Sequence, residues 1–395
     1  MGPVVDVSCS PKLQTLGPVI PFNSPSLTPL ARTFLAEASS APHHSGDGPF
    51  TKRCKELLER ALTAPTALLT TSCTHALEMS ALLLKLQPGD EVIVPSFSFV
   101  TTANAFVLHG ARAVFCDVRK DTCNLDAAHL ETLVTPRTRA VVPVHYAGVG
   151  CDMQRILEIA RQHRFVVVED NAHGLFGSIA GKPLGTFGAL STNSFHETKN
   201  FSCGEGGALI VNDPSLVERA LVLREKGTDR SRFFRGMVDK YTWQDVGSSY
   251  LPSDLLAAIL LGQLESRATI QSTRERIWLA YHTELASWAD ANGVRQPHVP
   301  AGCAQTYHLY YLVLPSLAAR TGFLAHMKER GIIATFHYQA LHLSPMGERF
   351  GGAVGDCPVS ESLGDTLVRL PIYNTMTDVE TSAVIDAVKA FRSSR

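Results

Sequence analysis

Lys199 stands twenty-nine positions after Asp170, and each follows a run that reads as a β-strand. The apolar segment Phe165–Val168 ends in the polar word EDNAH (169–173), and ALSTNSFH (189–196) leads into ETKN (197–200). In an open α/β sheet, ligands gather beyond the carboxyl ends of the strands, so both side chains would face one crevice. An acid and a lysine placed this way admit two readings. The commoner is a plain ion pair. The other is a site for pyridoxal phosphate (PLP), in which the amine holds the aldehyde as an imine and the carboxylate keeps the ring nitrogen protonated. A cation so close is expected to hold Asp170 below the usual carboxylate range, while partial burial and the cofactor's positive charge keep Lys199 neutral.

Other stretches bear on that choice. TTSCTH (70–75) lies between a strand-like run and the helical pattern His75–Lys85. Its amides and hydroxyls would bind a 5′-phosphate at a helix N-terminus, and Ser72 or Thr74 would serve equally as a helix cap. PSFSF (95–99) follows another strand and offers Phe99 to stack on a flat heterocycle, although a core role is commoner for such a ring. The glycine-rich word CGEGG (203–207) permits close backbone approach. Arg230, Arg232, Arg235 and Lys240 form a basic stretch suited to a pyrophosphate, and equally to a solvated loop. His337 and His342, in FHYQALH (336–342), fit a substrate mouth or buried structural positions alike.

Competing chemistries lack a residue each. HETKN (196–200) has Asn200 where a zinc helix needs its second His, so no metal site is expected. Gly148–Val149–Gly150 lacks the third glycine of a dinucleotide loop. GKP (181–183) has no Ser or Thr after its lysine, which a phosphate loop requires.

The elements that must position these residues alternate from Thr66 onward. Strand-like runs cover 66–70, 91–94, 113–118, 140–144, 165–168 and 208–211, with helical patterns at 75–85, 101–109, 153–163 and 215–225 between them. Most of the strands are continuous apolar runs, as strands covered on both faces are. That pattern predicts an α/β fold with a mostly parallel sheet. After about residue 253 come two long helical patterns (253–267 and 272–292) and a strand-like run at 307–314. A helix at 322–330, a strand at 332–338 and a last helix at 378–391 follow, which suits a smaller α+β domain.

The words SFHETKN (194–200), EGG (205–207), EDNAH (169–173), PSFSFVTTAN (95–104), PVHYAG (143–148) and SCTHALE (72–78) stand in an order that resembles the DegT/StrS-type sugar-nucleotide aminotransferases. GDGPFT (46–51), REKGTDRSRFFRG (224–236), KYTW (240–243) and GSSYL (247–251) narrow the resemblance to the subgroup that forms dTDP-4-amino-4,6-dideoxygalactose. The similarity runs from Ile20 to about Phe391. It implies a PLP enzyme of fold type I, with Lys199 as the Schiff-base lysine, Asp170 as the pyridinium partner and His173 on the side of the ring hydroxyl. By the same resemblance Phe99 stacks on the ring, and Ser194 holds the phosphate with the amides of Cys73, Thr74 and His75. Ser249 reaches the partner subunit's phosphate. Arg230, Arg232, Arg235, Lys240 and His337 are the substrate-binding candidates. Much of the wider family has Gln where His173 stands and Asn where Ser249 stands.

The implied reaction transfers an amino group from L-glutamate to C4 of a nucleotide-linked 4-keto-6-deoxyhexose, in a homodimer with shared active sites. Another keto-sugar or keto-cyclitol as substrate, or a PLP-binding regulator without turnover, are the other readings. Lys199 argues against the related dehydratases, which carry His there.

Composition agrees with an ordinary globule of 395 residues: 45% hydrophobic, 18% charged, formal net charge −1. Such a balance offers no positive field for nucleic acid or anionic lipid, and no apolar stretch is long enough to span a bilayer. Nine cysteines without a CxxC pair suit reduced thiols in the cytoplasm. Residues 1–18 read as a disordered tail that is not a secretory signal. Residues 19–252 read as the large PLP-binding α/β domain, and 253–395 as linking helices and the small α+β domain.

Overall fold

The computed structural model describes residues 19–392, so the tail expected over 1–18 lies outside the described residues. Seven strands form the main sheet: Thr66–Thr70 (β1), Glu91–Pro95 (β2), Arg112–Cys116 (β3), Thr138–Val141 (β4), Val166–Asp170 (β5), Leu190–Ser194 (β6) and Gly207–Val211 (β7). Their order across the sheet is β1-β7-β6-β5-β4-β2-β3. The four pairs from β6 to β3 are parallel, and β7 alone runs against its two neighbours.

The reversal of β7 has a covalent cause. A parallel return needs a crossover, usually a helix. The twelve residues between β6 and β7 form no helix. They hold Lys199 instead, and the chain comes straight back antiparallel.

Successive strand residues enter opposite cores, as pleating requires. Val92, Val94, Leu68, Leu209 and Val211 pack on one face with Ala76, Leu77 and Phe106. On the other face, Ile93, Val141 and Val167 pack with Leu130 and Ile156, while Leu69 and Ile210 pack with Leu58 and Leu261. Each fully buried leucine or isoleucine there contributes roughly 1.5–3 kcal/mol. β6 departs from the apolar pattern: Ser191, Thr192 and Asn193 are fully enclosed. Asn193 Oδ1 accepts a bond from Asn171 Nδ2 at 3.0 Å, which offsets part of the cost.

The first long helical pattern after residue 253 forms a helix at Asp254–Glu265, which packs on the main-sheet side against Pro29–Ser40 and Pro49–Leu62. Gly262 meets Ala31 so closely that an added Cβ would lie 2.3 Å from the Ala31 Cα. Helix Pro49–Leu62 begins at Gly48, which lends no capping side chain. Asp254 caps it instead, accepting from Phe50 N (3.2 Å), Thr51 N (2.8 Å) and Thr51 Oγ1 (2.7 Å).

The smaller C-terminal α+β domain is built on Tyr310–Val313 (β8), Thr335–Phe336 (β9) and Leu367–Leu370 (β10), antiparallel in the order β8-β10-β9. Helices Arg267–Glu284, Leu317–Glu329 and Asp378–Ala390 share its core around Tyr281, Phe323, Leu370 and Val388. The second long pattern is divided at Leu285, into helices ending at Glu284 and starting at Ala286.

Candidate active site

Asp170 ends β5 and Ser194 ends β6, and because these strands are parallel both side chains emerge at one edge of the sheet. A cavity of ≈ 600 Å³ opens there. Lys199, Asp170, His173, Ser194, Cys73, Thr74, Phe99 and His337 all line it, although they come from five separate stretches of chain.

Neighbouring carboxylates on β5 face opposite ways. Asp170 turns into the cavity, where Oδ2 accepts from Thr102 Oγ1 at 2.8 Å and Oδ1 from Ala172 N at 3.2 Å. Glu169 points beneath it and accepts from the amides of Gly185, Phe187 and Gly188 at 2.6–2.9 Å. It also meets His145 Nε2 at 2.8 Å, in a pair with no exposed surface. His145 Nδ1 accepts from Cys151 N at 3.1 Å, so its Nε2 is the side that carries the proton to Glu169.

The charge states of the cavity follow from enclosure. Burial raises Asp170 above the ordinary carboxylate value, even though Thr102, the Ala172 amide and Lys199 pull it down. The expected lowering by a neighbouring cation is therefore not found in the chain alone, because desolvation exceeds the attraction of Lys199. Burial also brings the Lys199 amine down to about 8, assisted by the charge of Arg369 and opposed by Cys73 and Asp170. Burial alone thus brings part of the lowering that the sequence assigned to a cofactor's charge. The Cys73 thiol is pushed up to about 12 by the same enclosure and stays protonated.

The helix Cys73–Leu83 aims its N-terminus at the cavity. Ser72 is its cap, accepting from His75 N at 3.1 Å, so the His75 amide is already engaged. The His75 ring bonds Thr71 and stands edge-on to Tyr250, away from the cavity. Cys73 and Thr74 are left with first-turn amides that the helix cannot satisfy. Gly207 explains part of the glycine cluster: a Cβ there would lie 2.4 Å from Cys73 N.

Three imidazoles close one wall. His173 stacks on His308 with centroids 4.2 Å apart, and lies parallel to His337 at 6.4 Å. Burial drives all three well below the usual imidazole value, so they are neutral. His173 Nδ1 accepts from Ala147 N at 3.3 Å, and His308 Nδ1 donates to Asn200 Oδ1 at 2.9 Å. His337 meets the Tyr146 hydroxyl at 3.1 Å.

Other sequence-selected residues lie elsewhere. Ser249 is exposed and bridges to Glu225. Arg230 pairs with Glu225 and Arg235 with Glu218, while Arg232 and Lys240 are exposed on the same arm. His342 is fully buried between Ser96 Oγ (2.6 Å) and Glu361 Oε1 (3.0 Å), where it ties the segment after β2 to the smaller domain. Residues not singled out in the sequence also line the cavity: Phe22, Asn23, Thr102, His308, Tyr338 and Arg369. Thr102 sat within a recognised word without an assigned role. Arg369, alone in a short apolar strand, gave no signal.

An amine, a buried carboxylate and an open helix N-terminus with Ser194 beside it fit a flat, phosphorylated heterocyclic aldehyde. Residues 34–389 match the DegT/DnrJ/EryC1/StrS aminotransferase family. The chain belongs to that family. This aminotransferase is 32% identical over 373 residues to GDP-perosamine synthase of Caulobacter vibrioides, covering 94% of this chain and 98% of that one. It is 31% identical over 384 residues to dTDP-4-dehydro-2,3,6-trideoxy-D-glucose 4-aminotransferase of Saccharopolyspora spinosa, covering 95% and 92%. Among solved structures, the PMP-form of the Streptococcus pneumoniae protein Spr1654, titled a sugar aminotransferase, superposes with a TM-score of 0.87 at 25% identity, covering 94% and 98%. The α/β fold expected from the sequence is the one these enzymes share.

Proposed function

We propose that this PLP-dependent aminotransferase aminates C4 of dTDP-4-dehydro-6-deoxy-D-glucose with L-glutamate as donor, giving dTDP-4-amino-4,6-dideoxygalactose and 2-oxoglutarate. The observation that carries the reading is the half-buried Lys199 amine, brought down to about 8 and sharing the cavity with Asp170 beyond the strand ends. When bound, PLP supplies an electrophilic carbon for the donor's amine and an electron sink for the charge left on the donor's Cα. Asp170 would hold the ring nitrogen, held in turn by Thr102. Cys73, Thr74 and Ser194 would hold the phosphate, Phe99 would cover one ring face, and His173 would stand at the ring hydroxyl. Lys199 Nζ takes the proton from the donor's Cα and, in the second half of the reaction, delivers one to C4 of the sugar.

The basic arm 229–249 supports a homodimer with shared sites. Its charged side chains do not line the cavity of their own chain. Phe234 and Trp243 on it are 69% and 82% exposed, a large apolar surface for a second copy to cover. Ser249, Arg230, Arg232 and Lys240 would then serve the partner's cavity. The eight described cysteines are all free, which supports a reducing, cytoplasmic setting.

Incubation with glutamate and a panel of dTDP-, UDP- and GDP-linked 4-keto sugars tests the substrate. 2-Oxoglutarate should form with the dTDP sugar, and NMR of the product should show an axial amine at C4. The relative named GDP-perosamine synthase makes a GDP-linked sugar the second reading, and preference for that substrate would replace the first. Borohydride trapping followed by peptide mapping should place the cofactor on Lys199; a label on any other peptide would overturn the mechanism.

A further inference from the structure

His308 stands two residues before β8, on the wall that Lys199 and His173 also line. Its proton is placed by a chain of neighbours. Asn200 Nδ2 donates to the Thr306 carbonyl at 2.8 Å and to Gln271 Oε1 at 3.1 Å, so the other end of that amide, Oδ1, faces His308. An amide oxygen only accepts. At 2.9 Å from it, His308 Nδ1 must carry the hydrogen, and in a neutral imidazole Nε2 is then a bare lone pair. No described group bonds that Nε2, which is not sealed within the protein and so opens on the cavity. His173 has the opposite arrangement: its Nδ1 accepts from the Ala147 amide, so its Nε2 is the N–H. Burial holds both rings neutral. Two stacked imidazoles, with centroids 4.2 Å apart, thus offer the cavity one donor and one acceptor. His308 is also held from behind. Tyr307 takes φ 52°, a left-handed backbone rare for a bulky residue, and Arg274 donates to the carbonyls of Tyr307 (3.1 Å) and His308.

We propose that His308 Nε2 accepts a hydrogen bond from the hydroxyl at C3 of the keto-sugar, and so selects 3-hydroxy over 3-deoxy substrates. This assignment rests on the aminotransferase reading above and deepens it by naming the hydroxyl that is read. Lys199 and His308 border a second, smaller space of ≈ 10 Å³ as well as the main cavity, so the two lie side by side. A sugar whose C4 is set against Lys199 Nζ brings the neighbours of C4 to His308. Those neighbours are C3 and C5. C5 carries a methyl group and C3 a hydroxyl, and only the hydroxyl can donate to a lone pair. The amino donor does not match it: its amine is the group being transferred, and its carboxylates have only lone pairs, which a bare nitrogen repels. The cofactor's ring hydroxyl would be met instead by the N–H of His173. Opposite a 3-deoxy carbon the His308 lone pair would be left unpaired, which is how a polar site rejects a substrate one hydroxyl short.

The test crosses two variants with two sugars in the holoenzyme. Enzyme pretreated with glutamate and desalted is mixed with the 4-keto-6-deoxy sugar, on the nucleotide that the substrate panel selects, or with its 3-deoxy analogue. The amino-sugar formed in one turnover is then measured at low sugar concentration. Wild type should favour the 3-hydroxy sugar by at least on the order of tenfold. His308→Asn keeps an amide N–H where Nδ1 stands and removes Nε2. It should slow the 3-hydroxy sugar on the order of tenfold and leave the 3-deoxy sugar within about twofold, so that the preference disappears. His308→Gln places an amide oxygen near the former Nε2 and should recover part of the preference. Calorimetric binding of the 3-hydroxy amino-sugar product should weaken in His308→Asn by the same factor, while release of 2-oxoglutarate from glutamate alone stays within about threefold. Equal losses on the two sugars, no loss, or a donor half weakened as much as the sugar half would overturn the assignment, because a merely structural histidine does not tell a hydroxyl from a hydrogen. If neither variant folded, the wild-type comparison would decide, and equal rates with the two sugars would overturn it. A wild-type enzyme that aminates neither sugar on any nucleotide would overturn the substrate reading, and this assignment with it.

Discussion

The cavity floor and the basic arm at 229–249 both carry charged residues that a reader of the sequence would select, yet their physical states are opposite. On the floor, enclosure has moved Asp170 up, Lys199 down and three imidazoles to neutrality. On the arm, Arg232, Arg235 and Lys240 stand in solvent, beside exposed Phe234, Met237 and Trp243. The floor acquires its chemistry from the fold of one chain. The arm has apolar surface and charge but lines no cavity of its own chain, which fits the proposal that a second copy covers it.

The largest expected effect tests the floor. Lys199→Ala removes the covalent anchor and the base at once, and turnover should fall by at least on the order of 10⁴-fold. Reductive trapping should then label no peptide, while the melting temperature stays near that of wild type. Retained turnover would mean that the floor is not where the proton moves.

The next effect tests the arm. Replacing the exposed Phe234 and Trp243 with Asp should dissociate the protein to a monomer by light scattering and reduce activity on the order of 10²-fold. The Lys199 pKa should not change, because it arises within one chain. A fully active monomer would end the comparison, since both regions would then be complete alone.

A third, smaller effect concerns pH. Lys199 must be neutral to attack an aldehyde. With its pKa brought down to about 8, about one tenth of the amines are neutral at pH 7, against roughly one in 3,000 for an ordinary lysine. The rate at which cofactor-free protein takes up PLP should therefore rise about tenfold from pH 7 and level off above about pH 9. A rate still climbing at pH 10 would show that burial does not control the amine. Arg369→Gln should move the midpoint upward, because the Arg369 charge is one cause of the lowering.

Much of the floor was legible because position along a strand carries the information. An acid at the end of an apolar run and a lysine after the next run must meet at a sheet edge, whatever lies between. The direction of β7 is legible too, because no helical pattern fills 195–206 to carry a parallel crossover. What could not be read depends on distant partners. Asp254 caps a helix some two hundred residues earlier in the chain. β6 buries Ser191, Thr192 and Asn193 where an apolar pattern would ordinarily mark a strand. Arg369 carries no periodicity and no neighbouring motif, so its place on the cavity wall comes only from the register of β10.

The smallest effect divides the arm itself. Arg235 forks onto Glu218 with both bonds at 2.9 Å, and the pair is exposed on each side. The bond to Arg235 lowers the Glu218 pKa, so its contribution is present above the ordinary glutamate range and lost as pH falls through the lowered value. Solvent screening limits that contribution to a few tenths of a kcal/mol. Arg235→Ala should therefore leave kcat/KM for the sugar within about twofold and shift the melting temperature by less than about 2 °C. Arg232 makes no such bond among the described residues, although its charge also acts on Glu218, and under the proposal it would meet a phosphate brought by another copy. Arg232→Ala should raise KM for the nucleotide sugar by about tenfold, with kcat for the donor half unchanged. Equal effects at the two positions would mean that the arm's charges act only as a solvated surface, and its exposed aromatic residues alone would then carry the case for a second copy.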